Sequence, residues 1–491
     1  MSKKKFNIKR KEGLFSDVER VKPMIMINVG SLLDIPTGSF VVGKKGETII
    51  NGGLGPITGL TAVGNNYKST IMHYMMLSAG NKVKQSELPL YMYTYDTEIN
   101  MNTERCDQLA KNFPLIMENP TKGMDAEWVV TNKEKVSGNT WAKDLEDRLE
   151  VKSKDKDQEF EVDFTKDPHT GKDLKLHVPS FIEIDSFTEF EGEASFNVLS
   201  NDLDGSDTKT YAMNQGMLKT KFMARLPYLS NKSNNYFLLT AHLGDKIDMN
   251  ANPYSPGPTK KLQYLKGDQH MKGTGSKFYF LTTQVWLLSG ARQLVNQATK
   301  GPEFPTDSND GFKNELNIVD LTLLRNKNGP SGGIISIIVS QSRGVLPTLS
   351  EFYYIKNSKK GISGNDRTYH MDLYPDVNLS RTTVRKLIDS DAKLRRAINI
   401  TAELLQLIEF HYSYLSNNKL LCTPLELYED IKKLGYDWNE LLETRGYWLY
   451  DQYENEVPFL STIDLLKMRV GQYHPYFMKP LKNGEDNAKS K

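Results

Sequence analysis

The chain has 491 residues, which is enough for a full α/β core with one or two additional units. Its 63 basic and 61 acidic residues leave a formal charge of +2, which excludes a globally basic surface and confines any nucleic-acid site to a local patch. Two cysteines, Cys106 and Cys422, are too few for a disulfide framework or a zinc cluster and are typical of a reducing cytoplasm. No apolar run approaches the roughly 20 residues that cross a bilayer, and the first residues lack a signal-peptide pattern. These features predict a soluble cytoplasmic protein without a membrane partner.

Residues 1–35 are predicted to form an N-terminal arm or an oligomerisation segment, because most of this text is polar and basic. Such an arm is either a solvated tail or a contact with DNA or a neighbouring subunit. From residue 36 onward, short apolar runs alternate with glycine turns and then with helical patterns, as in a parallel α/β core. We therefore assign residues 36–360 to one core of the α/β class with a mainly parallel twisted sheet.

The segment from Ala62 to Thr70 reads AVGNNYKST and leads from an apolar run into a helical pattern. Loops of this kind turn backbone N–H groups toward phosphate oxygens, and the following helix directs its positive end at them. Lys68 would add a point charge, and the hydroxyl of Ser69 is a suitable ligand for Mg²⁺. Ala62 and Tyr67 replace the glycines of the usual G-x-x-x-x-G-K-[ST] spelling, so an ordinary strand-to-helix turn remains the alternative. The predicted phosphate-binding residues are Gly64, Asn65, Asn66, Tyr67, Lys68, Ser69 and Thr70.

Three later polar residues also follow strand-like runs. Glu98 comes just after LYMYTY, Asp185 ends FIEID, and His242 ends FLLTAH. Since ligands of parallel sheets gather at the carboxyl ends of strands, we expect these residues to meet the phosphate loop in one crevice. ATP hydrolysis needs a phosphate cradle, a metal ligand and a group that aims water. Asp185 with Ser69 is predicted to hold Mg²⁺ and Glu98 to activate water, while helix capping by Asp185 and an ordinary core role for His242 remain alternatives.

Two regions lie outside this pattern. Residues 118–178 are dense in charge with short β-like pieces, and we interpret them as a polar, β-rich insertion on the core surface that is either solvated or partner-binding. Residues 375–480 have amphipathic periodicity and predict a separate helical C-terminal domain. Residues 481–491 are predicted to be a disordered tail.

The segment from Gly244 to Lys277 is rich in glycine, proline, asparagine and lysine, and it includes Tyr254 and Tyr264. Loops of this length are usually functional or disordered. Lysines neutralise phosphates and aromatic rings stack on bases, so the segment predicts a site for single-stranded DNA, with a solvated loop as the alternative. The predicted DNA-binding residues are Lys246, Lys260, Lys261, Lys266, Lys272 and Lys277.

These motifs, in this order, resemble the RecA family of recombinases, and within it the phage UvsX type. The similarity covers about residues 35–350 outside the insertion, and it rests on YKST, YTYDTEINMNTERCDQLA, FIEIDSFTEF, GMLKTKFMARLPYLSNKSNNYFLLTAH and KGTGSKFYFLTTQVWLL. The resemblance implies a RecA-like P-loop ATPase core in which Lys68, Ser69 and Thr70 bind phosphates and Mg²⁺. It also implies that Glu98 activates water, that Asp185 supports the metal and that His242 senses the γ-phosphate.

Arg325 and Lys327 stand at alternate positions of a strand-like run that leads into NGPSGG. Alternate residues of a strand face the same side, so this pair is placed to reach together into the nucleotide of a neighbouring subunit. The RecA resemblance implies the same catalytic role. NGPSGG also resembles the basic hairpin of DnaB-type replicative helicases.

The sequence therefore predicts a DNA-dependent ATPase that uses ATP and Mg²⁺, forms filaments on single-stranded DNA and promotes homologous pairing and strand exchange in DNA recombination, repair and replication. One alternative is a DnaB-type hexameric replicative helicase on the same core. Another is a loader-like nucleotide-binding protein that hydrolyses little ATP. The expected partners are single-stranded DNA, further copies of the chain in a filament or ring, and a mediator or single-strand-binding protein. The expected location is the host cytoplasm if the chain is phage-encoded.

Overall fold

The structure of the protein is a computed structural model that describes residue 18 and residues 20–192, 205–245, 262–265, 269–306, 315–410 and 420–479. The helices are α1 Ser31–Thr37, α2 Lys68–Gln85, α3 Thr103–Ala110, α4 Gly138–Lys152, α5 Gly205–Ser233, α6 Gly275–Leu281, α7 Pro347–Ser358, α8 Val384–Ser390, α9 Ala392–Phe410, α10 Pro424–Lys433, α11 Trp438–Leu441 and α12 Thr462–Arg469. The strands are β1 Ser39–Val42, β2 Thr48–Asn51, β3 Ile57–Ala62, β4 Tyr91–Asp96, β5 Trp128–Asn132, β6 Glu159–Lys166, β7 Asp173–His177, β8 Ser180–Asp185, β9 Asn235–Asp245, β10 Gln269–Met271, β11 Gln284–Leu288, β12 Arg292–Gln293, β13 Leu316–Asn326, β14 Ile334–Ser340, β15 Gly344–Val345, β16 Ile362–Asn365, β17 Thr368–Met371 and β18 Tyr374–Leu379.

A mixed central sheet organises the described residues. Its strand order is β15-β14-β13-β11-β3-β9-β8-β4-β5, with β10 added beside β9 and β12 beside β13. The strands from β11 to β5 in this order run parallel, whereas β13, β14 and β15 pair antiparallel. The predicted α/β class with a largely parallel sheet is therefore confirmed. Because β3, β4, β8 and β9 are parallel, their carboxyl ends share one edge of the sheet.

Both faces of the sheet are covered, which explains why its central strands are apolar on both sides. Phe181 and Leu238 belong to a hydrophobic cluster that also contains residues of helix α2. Their chain neighbours Ile182 and Leu239 belong to a second cluster on the other face, with residues of α4 and α5. Strands β3 and β8 are buried along their whole length. This two-sided burial fixes the register of the strands and hence the positions of the residues at their ends.

The segment 118–178 differs from the expectation of a surface insertion. Residues 128–132 form strand β5, which pairs parallel with β4 at the edge of the central sheet. Trp128 is fully buried there, and Trp141 of α4 is buried in the core. Within residues 118–178, the antiparallel β6–β7 hairpin is the part that forms a small sheet separate from the central one. The strand was missed because WVVTN is short and lies between charged stretches, so its burial on the sheet outweighs the polar local composition.

The two ends of the described chain pack onto the core. Ile27 and Val29, which we had placed in the N-terminal arm, are buried in the cluster around α2. From the C-terminal region, Trp448 packs on Phe164 of β6 at 4.5 Å between ring centroids. Helix α9 contacts both α1 and α7. Helices α8 to α12 thus lie in the segment assigned to a separate C-terminal domain, but that segment shares hydrophobic clusters with the rest of the chain. Residues 481–491 lie outside the described residues.

Among the described helices, none combines the length and the apolar character that crossing a bilayer requires.

Candidate functional site

The loop between β3 and α2 contains two residues in the left-handed backbone conformation. Asn65 and Tyr67 have positive φ angles of 61° and 57°. Tyr67 therefore adopts, at the position of the second motif glycine, the left-handed conformation that glycine takes without cost. The hydroxyl of Tyr67 accepts a hydrogen bond of 2.9 Å from the side-chain amide of Asn317 on strand β13. Tyr67 thus holds a left-handed conformation at the position where the sequence motif has its second glycine.

Helix α2 begins at this loop and leaves free donors there. The first intrahelical hydrogen bond runs from the N–H of Ile71 to the carbonyl of Tyr67, at 2.9 Å. The N–H groups of residues 68–70 precede this bond and have no intrahelical acceptor, as at any helix start. They lie at the positive end of the helix dipole, which attracts anions.

Lys68 and Ser69 converge on the carboxylate of Asp185 at the end of β8. The Lys68 ammonium lies 3.3 Å from Asp185 Oδ1, and both side chains are only 9% exposed. The Ser69 hydroxyl donates a hydrogen bond to Asp185 Oδ2. From the neighbouring strand β9, the hydroxyl of Thr240 donates to Asp185 Oδ1. The structure therefore brings together the residues that the sequence assigned to phosphate and metal binding, and it adds Thr240, which sequence reasoning missed.

Asp96 ends strand β4 and shapes the turn that carries Glu98. Its carboxylate accepts hydrogen bonds from the backbone N–H groups of Glu98, Ile99 and Met101, at 3.0, 2.9 and 2.8 Å. In the parallel register, Asp96 lies opposite Asp185. Asp96 thus holds Glu98 next to the strand end that carries Asp185.

Glu98 pairs with His242, which follows Thr240 on the same face of β9. Glu98 Oε1 lies 2.7 Å from His242 Nε2, and the two side chains are 24% and 27% exposed. The hydrogen bond to His242 lowers the pKa of Glu98 to about 2, assisted by Ser186 and by the charge of Lys68, although partial burial acts in the opposite direction. Glu98 is therefore an ionised, partly accessible carboxylate within the electrostatic influence of Lys68.

A second buried pair lies one helical turn further along α2, and sequence reasoning missed it. His73 Nε2 is 3.3 Å from Glu183 Oε1, and both residues are buried. Burial is the largest single influence and lowers the pKa of His73, but the charge of Glu183, the hydrogen bond to it and the charge of Asp185 together outweigh burial, so the pKa is raised. The spacing of these residues could have indicated the pair. His73 follows Ser69 by four residues on a helix and Glu183 precedes Asp185 by two on a strand, so each lies on the same face as a predicted site residue.

Arg325 and Lys327 lie away from this cluster within the chain. Asn326 pairs with Gln284 at the start of β11, and Gln284 pairs with Thr58 near the start of β3, at the sheet edge opposite the loop. The Arg325 guanidinium donates to the backbone carbonyls of residues 280 and 282, each at 2.9 Å. Lys327 lies beyond the end of β13, and burial lowers the pKa of both side chains. Neither cation reaches the Lys68 site of its own chain.

The predicted DNA-binding lysines are only partly described. Lys246, Lys260, Lys261 and Lys266 lie outside the described residues. Lys272 is exposed and Lys277 is half-buried. The backbone N–H of Lys272 donates to the carbonyl of His242 at 2.8 Å, and β10 pairs antiparallel with the end of β9. The end of the lysine-rich segment is thus hydrogen-bonded to the residue that contacts Glu98.

No family model matches the sequence, and no curated protein matches it either. The contacts among these side chains therefore carry the functional proposal.

Proposed function

We propose that the protein binds ATP with Mg²⁺ at residues 64–70 and hydrolyses it. The observation that carries this proposal is the convergence of Lys68, Ser69 and Asp185 at the amino end of α2, with Glu98 and His242 beside them. Lys68 and the free N–H groups of α2 would bind phosphate oxygens. Ser69 and Asp185 offer the hard oxygen ligands that Mg²⁺ prefers, and this ion would neutralise phosphate charge.

Glu98 is the candidate for aiming the attacking water. With a pKa of about 2 it is ionised at neutral pH and accepts a hydrogen bond from water, but it is a weak base. It therefore acts mainly by orienting water rather than by removing its proton completely. The hydrogen bond from His242 competes with water for the same carboxylate oxygen, so the position of His242 controls how available Glu98 is.

We further propose that hydrolysis is coupled to single-stranded DNA in a filament of this chain, as the RecA-family resemblance implies. The hydrogen bond between Lys272 and His242 supports a connection between the lysine-rich segment and Glu98. The position of Arg325 and Lys327 at the far edge of the sheet supports a role for them on a neighbouring chain's nucleotide. On this proposal the filament would promote homologous pairing and strand exchange.

The test of ATP hydrolysis compares Lys68→Met with Lys111→Met, a control at an exposed lysine after helix α3. We expect the first change to lower the rate on the order of 100-fold, as loss of a donor to a developing charge does, and the second to leave it unchanged. Equal rates in both variants would contradict the proposal.

The test of DNA coupling measures the same rate with and without single-stranded DNA, and the affinity for DNA as a function of salt. Replacing Lys260, Lys261 and Lys266 together with alanine should reduce the salt slope by about 2, since each phosphate contact contributes about 0.7 for single strands. Electron microscopy with a slowly hydrolysed ATP analogue should show helical filaments. An unchanged salt slope would contradict the assignment of DNA binding to the segment from Gly244 to Lys277. Closed rings in place of filaments would favour a helicase.

A further inference from the structure

Three side chains of types that bind metal ions meet between helix α2 and strand β8. One atom each from His73, Glu183 and Asp185 lies within 4.8 Å of the other two, and all three residues are buried. Helix α2 brings His73 to the same side as Ser69, because residues four apart lie on one face of a helix. Strand β8 brings Glu183 and Asp185 to one face of the sheet, because side chains two apart on a strand point the same way.

The facing polar atoms of His73 and Glu183 are incompletely satisfied. His73 Nε2 and Glu183 Oε1 have no well-formed hydrogen bond to any residue within the described ranges, although they face each other at 3.3 Å. His73 is 6% exposed and Glu183 is fully buried. Buried polar atoms nearly always form good hydrogen bonds, so this contact leaves both atoms incompletely satisfied. Both atoms face each other and both are of types that bind metal ions.

The charges around these side chains balance only while His73 carries a proton. Glu183 and Asp185 supply two carboxylates, and Lys68 supplies one ammonium group at 3.3 Å from Asp185. A buried negative charge without compensation is costly, so Glu183 needs either the proton on His73 or a metal cation bound in its place.

Neighbouring side chains hold the carboxylate and the ring in place. The Thr94 hydroxyl donates to Glu183 Oε2 at 2.8 Å, and the indole N–H of Trp128 donates to Thr94 at 2.8 Å. The Trp128 ring also contacts the His73 ring edge-on, at 5.2 Å between centroids. Fixed partners of this kind orient metal ligands in proteins and restrict their rotation.

We propose that His73, Glu183 and Asp185 form a binding site for a divalent first-row transition-metal ion, of the class of Mn²⁺, Co²⁺ or Zn²⁺. One imidazole and two carboxylates suit these ions, whereas Mg²⁺ prefers oxygen ligands and retained waters. The site consists of side chains of this chain alone, so it forms without nucleotide. It goes beyond the proposed ATP site, with which it shares only Asp185.

The experiment titrates Co²⁺ into nucleotide-free, untagged protein and follows visible absorption and heat. We expect one Co²⁺ per chain, with an affinity that falls at least 10-fold in His73→Gln and in Glu183→Gln, in line with the loss of a ligand or of its support. His169→Gln is the matched control, because His169 is exposed on the turn between β6 and β7. No binding at millimolar Co²⁺, or equal binding in wild type and His73→Gln, would overturn the proposal.

A third variant separates this site from the proposed ATP site. Lys68→Met removes a positive charge beside Asp185, so Co²⁺ affinity should rise severalfold while nucleotide affinity falls. Normal nucleotide binding by Lys68→Met with increased Co²⁺ affinity would contradict only the ATP proposal. A decrease in Co²⁺ affinity in this variant would contradict the metal site.

A measurement on the wild-type protein does not depend on any variant folding. Ligands that bind only the native state raise Tm by mass action. Co²⁺ should therefore raise Tm in the absence of nucleotide, and Mg²⁺ at the same concentration should raise it less. Equal shifts with the two ions, or no shift with Co²⁺, would overturn the proposal.

Discussion

The contact between His242 and Glu98 gives the sharpest prediction about stability. The carboxylate and the imidazole are 2.7 Å apart and the side chains are about one quarter exposed. The hydrogen bond to His242 is the largest cause of the fall in the pKa of Glu98 from 4.5 to about 2. We therefore expect His242→Ala to raise this pKa toward its ordinary value and to destabilise the protein at neutral pH.

The magnitude follows from the size of the pKa shift. Each unit corresponds to about 1.4 kcal/mol, so the full shift would represent roughly 3 kcal/mol. Ser186 and Lys68 contribute part of it, and solvent screens side chains that are partly exposed. The expected loss of unfolding free energy in His242→Ala is therefore about 1–2 kcal/mol.

The pH dependence has a definite sign. A carboxylate whose pKa is lowered in the folded state stabilises that state above its unfolded pKa, near 4.5, and loses this contribution as the pH falls through about 2. The difference in unfolding free energy between wild type and His242→Ala should thus have its full size at about pH 7 and be smaller at about pH 3. Urea unfolding at the two pH values measures it.

The control is Asn100→Ala, which removes only the 3.1 Å hydrogen bond to the exposed side of Glu98. Its effect should stay below about 0.5 kcal/mol, as for most exposed positions. An identical loss in His242→Ala at both pH values would refute the electrostatic explanation, because it would show that the imidazole contributes by packing alone.

Three further changes test the fold. Gly59→Ala should destabilise by about 1–3 kcal/mol, because its Cβ would lie 2.8 Å from the buried ring of Phe278; an unchanged Tm would show that the core relaxes there. Trp141→Ala should cost about 3–5 kcal/mol, since this buried indole packs on Tyr95, and urea unfolding measures the loss. Thr423→Ala removes the capping box that begins α10 and should cost about 1 kcal/mol in thermal unfolding, whereas Thr423→Ser should cost little.

The sequence was sufficient to predict which polar residues lie at the carboxyl ends of strands. Asp185 and His242 each end an apolar run, and in a parallel sheet all such ends reach the same edge. That rule places Lys68, Glu98 and Asp185 at one edge of the sheet, and their proximity there follows from the adjacency of β3, β9, β8 and β4. The left-handed conformation of Tyr67 could not be predicted from the sequence, because tyrosine has no preference for a positive φ.

The contributions of Thr240 and His73 required the tertiary structure. Thr240 reaches Asp185 only because β9 lies between β3 and β8, and the local amino-acid sequence does not specify that strand order. His73 would equally fit an ordinary helix core. Similarly, the contact of Trp448 with Phe164 joins segments far apart in the chain, and periodicity within either segment does not predict it.

Asp185 is the group on which both proposed sites depend. Lys68, Ser69 and Thr240 all donate to its carboxylate, so a phosphate that drew Lys68 away would leave a buried charge with hydroxyl partners only. An uncompensated buried charge is unfavourable, and a cation bound at Ser69 and Asp185 would offset it. Phosphate and cation should therefore favour each other's binding, and by linkage the effect is reciprocal. Glu183, two residues earlier on the same strand face, adds a second negative charge. A metal ion bound between His73, Glu183 and Asp185 would therefore also change how strongly Asp185 holds Lys68 and Ser69.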